Sequence, residues 1–257
     1  MKIHFFGTCS GTEPMPNRNH TSFAFESKKF LYWFDAGENC SYTAHLMGID
    51  ILKTKTICIS HTHMDHIGGL PNLFWNIRKI NKPKKILKDK TIDLYIPELE
   101  VWKNILGILK YTEENFKCDF NIDTYKVVDG ELFSNNEISL FALHNNHLAK
   151  NKMGEYRSFG FLIKFENMKI VYSGDTSGIN DFLDLLPCDI LIMETGHHKA
   201  DEIARKLINL KLVPSKKLLF IHHGLEILNN YNEELIKVKN LLGEKVCFLD
   251  DGKTMEF

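Results

Sequence analysis

Apolar residues in this chain come in short runs, and their spacing changes character about halfway along. In the first part the runs are brief and bounded by Gly, Pro and Asn, the mark of strands and turns. They predict strands over 2–6, 21–26, 30–35 and 56–60. The stretch from Gly7 to His20 is rich in Gly, Pro, Asn and Thr and reads as loop. Gly37 opens and Gly48 closes a predicted helix over 37–47. Residues 66–80 are expected to be helical after the Gly68-Gly69 turn, then a strand over 92–96 and a helix over 98–110 follow. Strand-like runs follow at 122–128, 138–143, 159–165 and 169–173. From there the periods alternate: helix 178–186, strand 189–193, helix 200–211, strand 217–221, helix 232–242, strand 245–249. An Asp251-Gly252 turn leads to a short edge strand. Antiparallel-like strands first and alternating strands and helices later predict the α/β class, with two sheets sandwiched between helices in one domain, 1–257.

Composition agrees with that reading. A chain of 257 residues, 44% hydrophobic and 25% charged, can bury a sizeable core without staples. Six cysteines are scattered, with no Cys-x-x-Cys pair, so reduced thiols in a cytoplasm are expected. Residues 1–11 lack a long apolar core, so no signal peptide is expected. No apolar run approaches the ~20 residues that cross a bilayer, so no membrane span is expected either. A formal net charge of -1 gives no bulk field for nucleic acid or acidic lipid, so phosphate recognition has to be local. Residues 79–90 carry six lysines and read as a solvated loop; the other reading is a lip that attracts phosphate.

The strongest chemical signal is His61-Thr62-His63-Met64-Asp65-His66, directly after an apolar strand and directly before Ile67-Gly68-Gly69. Three imidazoles and a carboxylate within six residues cannot be buried cheaply without a partner. They are the ligand types that suit zinc and similar divalent ions. A sharp turn at the strand's end lets His61 and His63 point one way and Asp65 and His66 another, which fits two neighbouring metals.

His-x-His-x-Asp-His resembles the signature of the metallo-β-lactamase superfamily. That resemblance implies an αβ/βα four-layer sandwich with two mixed sheets and the metals at one edge. It also implies three later ligands, matched by His147, Asp175 in Ser173-Gly174-Asp175-Thr176, and His222, each after a predicted strand. His144 competes with His147, and His223 with His222. Carried over, His61, His63 and His147 would hold one ion, Asp65, His66 and His222 the other, and Asp175 would bridge. Zinc is the expected metal, with manganese or cobalt as alternatives.

The opening Phe5-Phe6-Gly7-Thr8-Cys9-Ser10-Gly11-Thr12, with Phe34-Asp35-Ala36-Gly37-Glu38, resembles ribonuclease Z-like members, which cleave phosphodiesters. By that resemblance Asp65 would also orient or deprotonate the attacking water. The histidine that ribonuclease Z places before its glutamate is replaced here by Met193, so His197 or His198 would supply the leaving-group proton. Only 27 residues separate His147 from Asp175, too few for the arm with which ribonuclease Z grips transfer RNA. With no net positive charge, this argues against stable nucleic-acid binding and for a small phosphodiester. Ribonuclease Z-like motifs without the arm resemble the anti-Pycsar proteins of phages. That likeness implies hydrolysis of cyclic nucleotides such as cyclic CMP and cyclic UMP, in the host cytoplasm, by a homodimer. A transfer-RNA-processing ribonuclease and a lactonase or other ester hydrolase are the alternatives on the same scaffold. Phe74 and Trp75 could stack on a base, though their helical spacing favours the core. Arg157 or Lys199 could hold a phosphate oxygen.

Overall fold

Strands that are apolar on both faces need cover on both faces, and most strands of this protein are of that kind. The computed structural model describes residues Met1–Phe257 and places them in two units. The first comprises Met1–Gly7, Pro16–Val127 and Asp251–Phe257; the second comprises Thr8–Met15 and Val128–Asp250.

The first unit carries β1 (Lys2–Gly7), β2 (Ser22–Glu26), β3 (Leu31–Phe34), β4 (Thr54–Cys58), β5 (Thr91–Ile96), β6 (Asn121–Lys126) and the C-terminal β14 (Lys253–Glu256). They form one mixed sheet in the order β14-β1-β2-β3-β4-β5-β6, antiparallel from β14 to β3 and parallel from β3 to β6. Its helices are α1 (Cys40–Leu46), α2 (Met64–Ile67), α3 (Leu70–Lys84) and α4 (Leu99–Thr112). Ala44, Leu73, Phe74, Ile77 and Trp102 from the helices pack on Phe6, Trp33, Ile57 and Leu94 from the strands. Each fully buried Leu, Ile or Phe among them contributes about 1.5–3 kcal/mol.

The second unit repeats the plan. It carries β7 (Gly130–Ser134), β8 (Ile138–His144), β9 (Phe159–Phe165), β10 (Met168–Tyr172), β11 (Ile190–Thr195), β12 (Lys217–His223) and β13 (Val246–Phe248). They form a second mixed sheet in the order β13-β12-β11-β10-β9-β8-β7, antiparallel over β7 to β10 and parallel from β10 to β13. Helices α5 (Ala200–Asn209), α6 (Leu225–Asn229) and α7 (Tyr231–Leu242) cover one face through Ile203, Leu207, Ile227 and Val238. Two mixed sheets flanked by helices give the expected α/β class. No helix is long and apolar enough to cross a membrane.

Three local expectations are refined. The helix expected after the Gly68-Gly69 turn is α3, and the residues ahead of that turn form the separate one-turn α2. The break is a close approach of backbones: a Cβ on Gly69 would lie 2.1 Å from the Gly37 carbonyl oxygen. The lysine-rich segment is not all loop, because α3 runs through Pro83 to Lys84 and stops at Lys85 in the left-handed region. Its six lysines are exposed, so solvation was right and conformation was not. Residues Ile179–Leu185 form a kinked 3-10 turn rather than an α-helix. Two elements, β7 and α6, are too short and irregular to carry a readable period.

Candidate metal centre

In the first unit the donors arise from one strand end. β4 delivers Ser60 and His61 to its C-terminal side, and the one-turn α2 carries Asp65 and His66. His61 and His66 are fully buried. The rings of His61 and His63 lie 4.6 Å apart, and those of His61 and His66 lie 4.1 Å apart. Asp65 Oδ2 lies 3.5 Å from His66 Nε2. The cluster is held by Asp35, which follows β3. Its carboxylate accepts from Ser60 N (2.7 Å), Ser60 Oγ (2.8 Å) and His66 Nδ1 (2.8 Å). A ring that donates through Nδ1 presents Nε2 as its ligand nitrogen, the orienting role carboxylates play behind metal-bound histidines. The loop carrying Asp35 is tied to the motif by Ala36 N to His66 O (2.7 Å) and Gly69 N to Ala36 O (2.8 Å). Asp35 pays for this placement with a φ of 54°, a left-handed conformation that is strained for a residue with a Cβ. Thr62 Oγ1 donates to Glu98 Oε2 at 2.7 Å.

In the second unit the donors come from separate strand ends. His147 follows β8, Asp175 follows β10, and His222 lies near the end of β12 at a φ of 55°. Asp175 Oδ2 is 3.3 Å from His222 Nε2, 3.8 Å from His147 Nε2 and 3.9 Å from His197 Nδ1. Asn145 Nδ2 donates to the Asp175 carbonyl at 2.7 Å, keying the His147 loop to the Asp175 loop. His144 turns elsewhere: Asp129 Oδ2 is 2.7 Å from its Nδ1, and Tyr156 stacks on its ring at 3.5 Å. His223 has Thr195 Oγ1 at 2.9 Å on Nδ1 and the Leu249 carbonyl at 3.0 Å on Nε2. Of the two adjacent histidines, His222 is the one that faces Asp175.

Behind these donors lies Glu194 at the end of β11, fully buried. It accepts from the His197 backbone N (2.9 Å) and lies 3.2 Å from His197 Nδ1 and 3.8 Å from His222 Nδ1. Burial works against its charge, but the hydrogen bonds from His197 and the nearby His222 imidazole outweigh burial and hold its carboxyl down at about 2. The same carboxylate raises the His197 imidazole above its ordinary value, against burial. His198 Nε2 is engaged by the Thr176 carbonyl at 2.9 Å. Met193, standing where the sequence comparison wanted a histidine, is buried in the core. Gly196 admits no side chain, since a Cβ there would lie 2.5 Å from His222 Nδ1.

His147, Asp175 and His197 each offer a donor atom within 4.8 Å of the others, as do Glu194, His197 and His222. Imidazole and carboxylate donors, backed by further carboxylates, are the set that suits zinc and similar divalent ions. Asp35 and Glu194 are the functional residues that sequence reasoning left without a role. Their only signal was position: each sits at the end of a fully buried strand, where a carboxylate needs a partner. Phe74 is core, against Trp102 at 4.8 Å, and Lys199 pairs with Glu226 at 3.5 Å, so neither is poised for substrate.

Mixed sheets flanked by helices, with imidazoles and carboxylates gathered at strand ends, define a metal-dependent hydrolase of the metallo-β-lactamase fold. The fold is similar to that of the Bacillus subtilis metallo-β-lactamase fold protein YhfI (TM-score 0.75, 17% identity, 100% of this chain and 99% of that one). It is also similar to the short form of human tRNase Z (TM-score 0.73, 19% identity, 100% and 99%). In sequence the chain is 26% identical to ribonuclease Z of Picrophilus torridus, covering 95% of this chain and 92% of that protein. The particular family is the anti-Pycsar protein Apyc1 family: its model matches residues 1–234, and the chain belongs to it.

Proposed function

We propose that the chain is a binuclear-metal phosphodiesterase acting in the cytoplasm on small phosphodiesters, namely 3′,5′-cyclic nucleotides of the cyclic CMP and cyclic UMP type. In this reading His61, His63 and His147 would hold one zinc ion, Asp65, His66 and His222 the second, and Asp175 would serve both. Manganese or cobalt would fit the same donors. Bound ions supply Lewis acidity, offsetting charge on the phosphoryl oxygens and acidifying water. Asp65 orients the attacking water and takes its proton. His197, with Nδ1 turned to Glu194, offers Nε2 as the proton donor to the leaving alkoxide. Its exposed side chain leaves that nitrogen reachable, whereas His198 is spent on the Thr176 carbonyl. The homodimer implied by the family resemblance belongs to the same proposal, and a monomer in sedimentation would remove it.

The observation that carries the choice of a small substrate is the fate of the chain between His147 and Asp175. Beyond the eleven-residue loop 148–158 it is taken up by β9 and β10, paired antiparallel with only Glu166 and Asn167 between them. No long arm remains to grip a folded RNA. Ribonuclease Z sequences nonetheless match nearly the whole chain, which keeps a processing ribonuclease as the second reading. Metal-loaded protein should be incubated with cyclic mononucleotides, with a precursor transfer RNA and with a lactone panel. Cyclic-nucleotide cleavage is expected; cleavage of RNA alone would transfer the assignment to the second reading, and activity on lactones alone would remove the phosphodiesterase class.

A further inference from the structure

One carboxylate in the second unit, Asp181, accepts five hydrogen bonds. Asp181 Oδ2 accepts from Thr176 Oγ1 (2.7 Å), Ser177 N (2.9 Å), Ser177 Oγ (3.0 Å) and Asn146 N (3.2 Å). Its Oδ1 accepts from Asn146 Nδ2 at 2.6 Å. These donors belong to two loops. Asn146 immediately precedes His147, and Thr176 and Ser177 immediately follow Asp175. The loops are far apart in sequence, and neither is fixed by strand pairing at these residues. Asp181 itself is anchored, because its neighbours Ile179 and Phe182 on the same 3-10 turn are buried in the core. A charged acceptor shared by donors from both loops fixes their separation more firmly than neutral bonds would.

We propose that Asp181 is a positioning residue that sets the spacing between His147 and Asp175 and thereby the metal affinity of the second unit's donors. The inference rests on the reading that those two residues are ligands. Neutralising the carboxylate turns one acceptor into a donor that opposes the Thr176, Ser177 and Asn146 donors, so both loops relax together. Outer partners of ligands typically change metal affinity by about 10–100-fold.

The test is a zinc titration of the metal-free protein against a chromogenic chelator, with the melting temperature of the metal-free form measured alongside. Asp181→Asn and Asp181→Ala should bind zinc about 10–100-fold more weakly, with turnover lost at limiting zinc and recovered at saturating zinc. Asp189→Asn is the matched structural control. Asp189 accepts from Ser215 Oγ (2.6 Å) and Lys169 N (2.9 Å) in the same unit but touches neither loop. It should lower the melting temperature and leave zinc affinity unchanged. Should the Asp181 variants fail to fold, Asn146→Ala, which removes only one bond to Oδ1, decides by a smaller loss of affinity. Asp181 or Asn146 variants that melt lower yet bind zinc as the parent does would overturn the inference while leaving the ligand reading intact. A His147→Ala protein with unchanged zinc affinity would instead overturn the ligand reading, and the inference with it.

Discussion

The two units gather their histidines and carboxylates in opposite ways. In the first, four donors fall within residues 61–66, and Asp35 holds Ser60 and His66 from the neighbouring strand end. In the second, His147, Asp175 and His222 come from three strand ends, and it takes Asn145, Asp181 and Glu194 to tie their loops together. Each unit also holds one non-glycine site residue in the left-handed region, Asp35 at φ 54° and His222 at φ 55°. Such strain costs on the order of 1–3 kcal/mol and persists only where the surroundings overdetermine it. The lesson is that a local cluster is held largely by its own turn, while a dispersed one needs a network, because each loop must be fixed separately against its own entropy.

The comparison can be broken most severely at Asp175, on which the second unit's donors converge. Asp175→Ala is expected to abolish tight zinc binding and to lower turnover by roughly 10³-fold, the scale of several kcal/mol of lost charge stabilisation. Elemental analysis of the gel-filtered protein checks this, and a mutant with full metal content would show that Asp175 does not bridge. Next comes the proposed proton donor, His197. His197→Ala should cost about 10²-fold or more in turnover while His198→Ala stays near the parent; initial rates that reverse this order would move the role to His198.

The orienting carboxylate of the first unit sharpens the contrast. Asp35→Asn should weaken zinc binding by about 10–100-fold, since the amide cannot accept from Ser60 N, Ser60 Oγ and His66 together. Unchanged affinity in the chelator titration would mean that the motif orients itself without Asp35. The smallest expected effect is steric. Gly196→Ala would drive a methyl into His222 Nδ1 and should cost about 1–3 kcal/mol in denaturant unfolding. A midpoint equal to the parent's would mean that the 195–197 loop gives way easily.

What the sequence determined by itself was everything carried by local period and local spacing. Apolar runs ended by Gly and Pro placed most strands, and alternation in the later part placed α5, α7 and their strands. The hexapeptide 61–66 announced a metal edge because its donors are neighbours in the chain. The lysines at 79–90 announced solvation, but not the extension of α3 to Lys84, since exposure does not distinguish helix from loop. Only the tertiary structure decided which member of each histidine pair turns toward Asp175. His144 and His223 are occupied by Asp129, Thr195 and Leu249, partners that no local pattern reveals. It alone exposed the hydrogen bonds that gather on Asp35, Asp181 and Glu194. A carboxylate's role depends on which donors surround it, and those donors arrive from strands and loops that meet only when the sheets are formed.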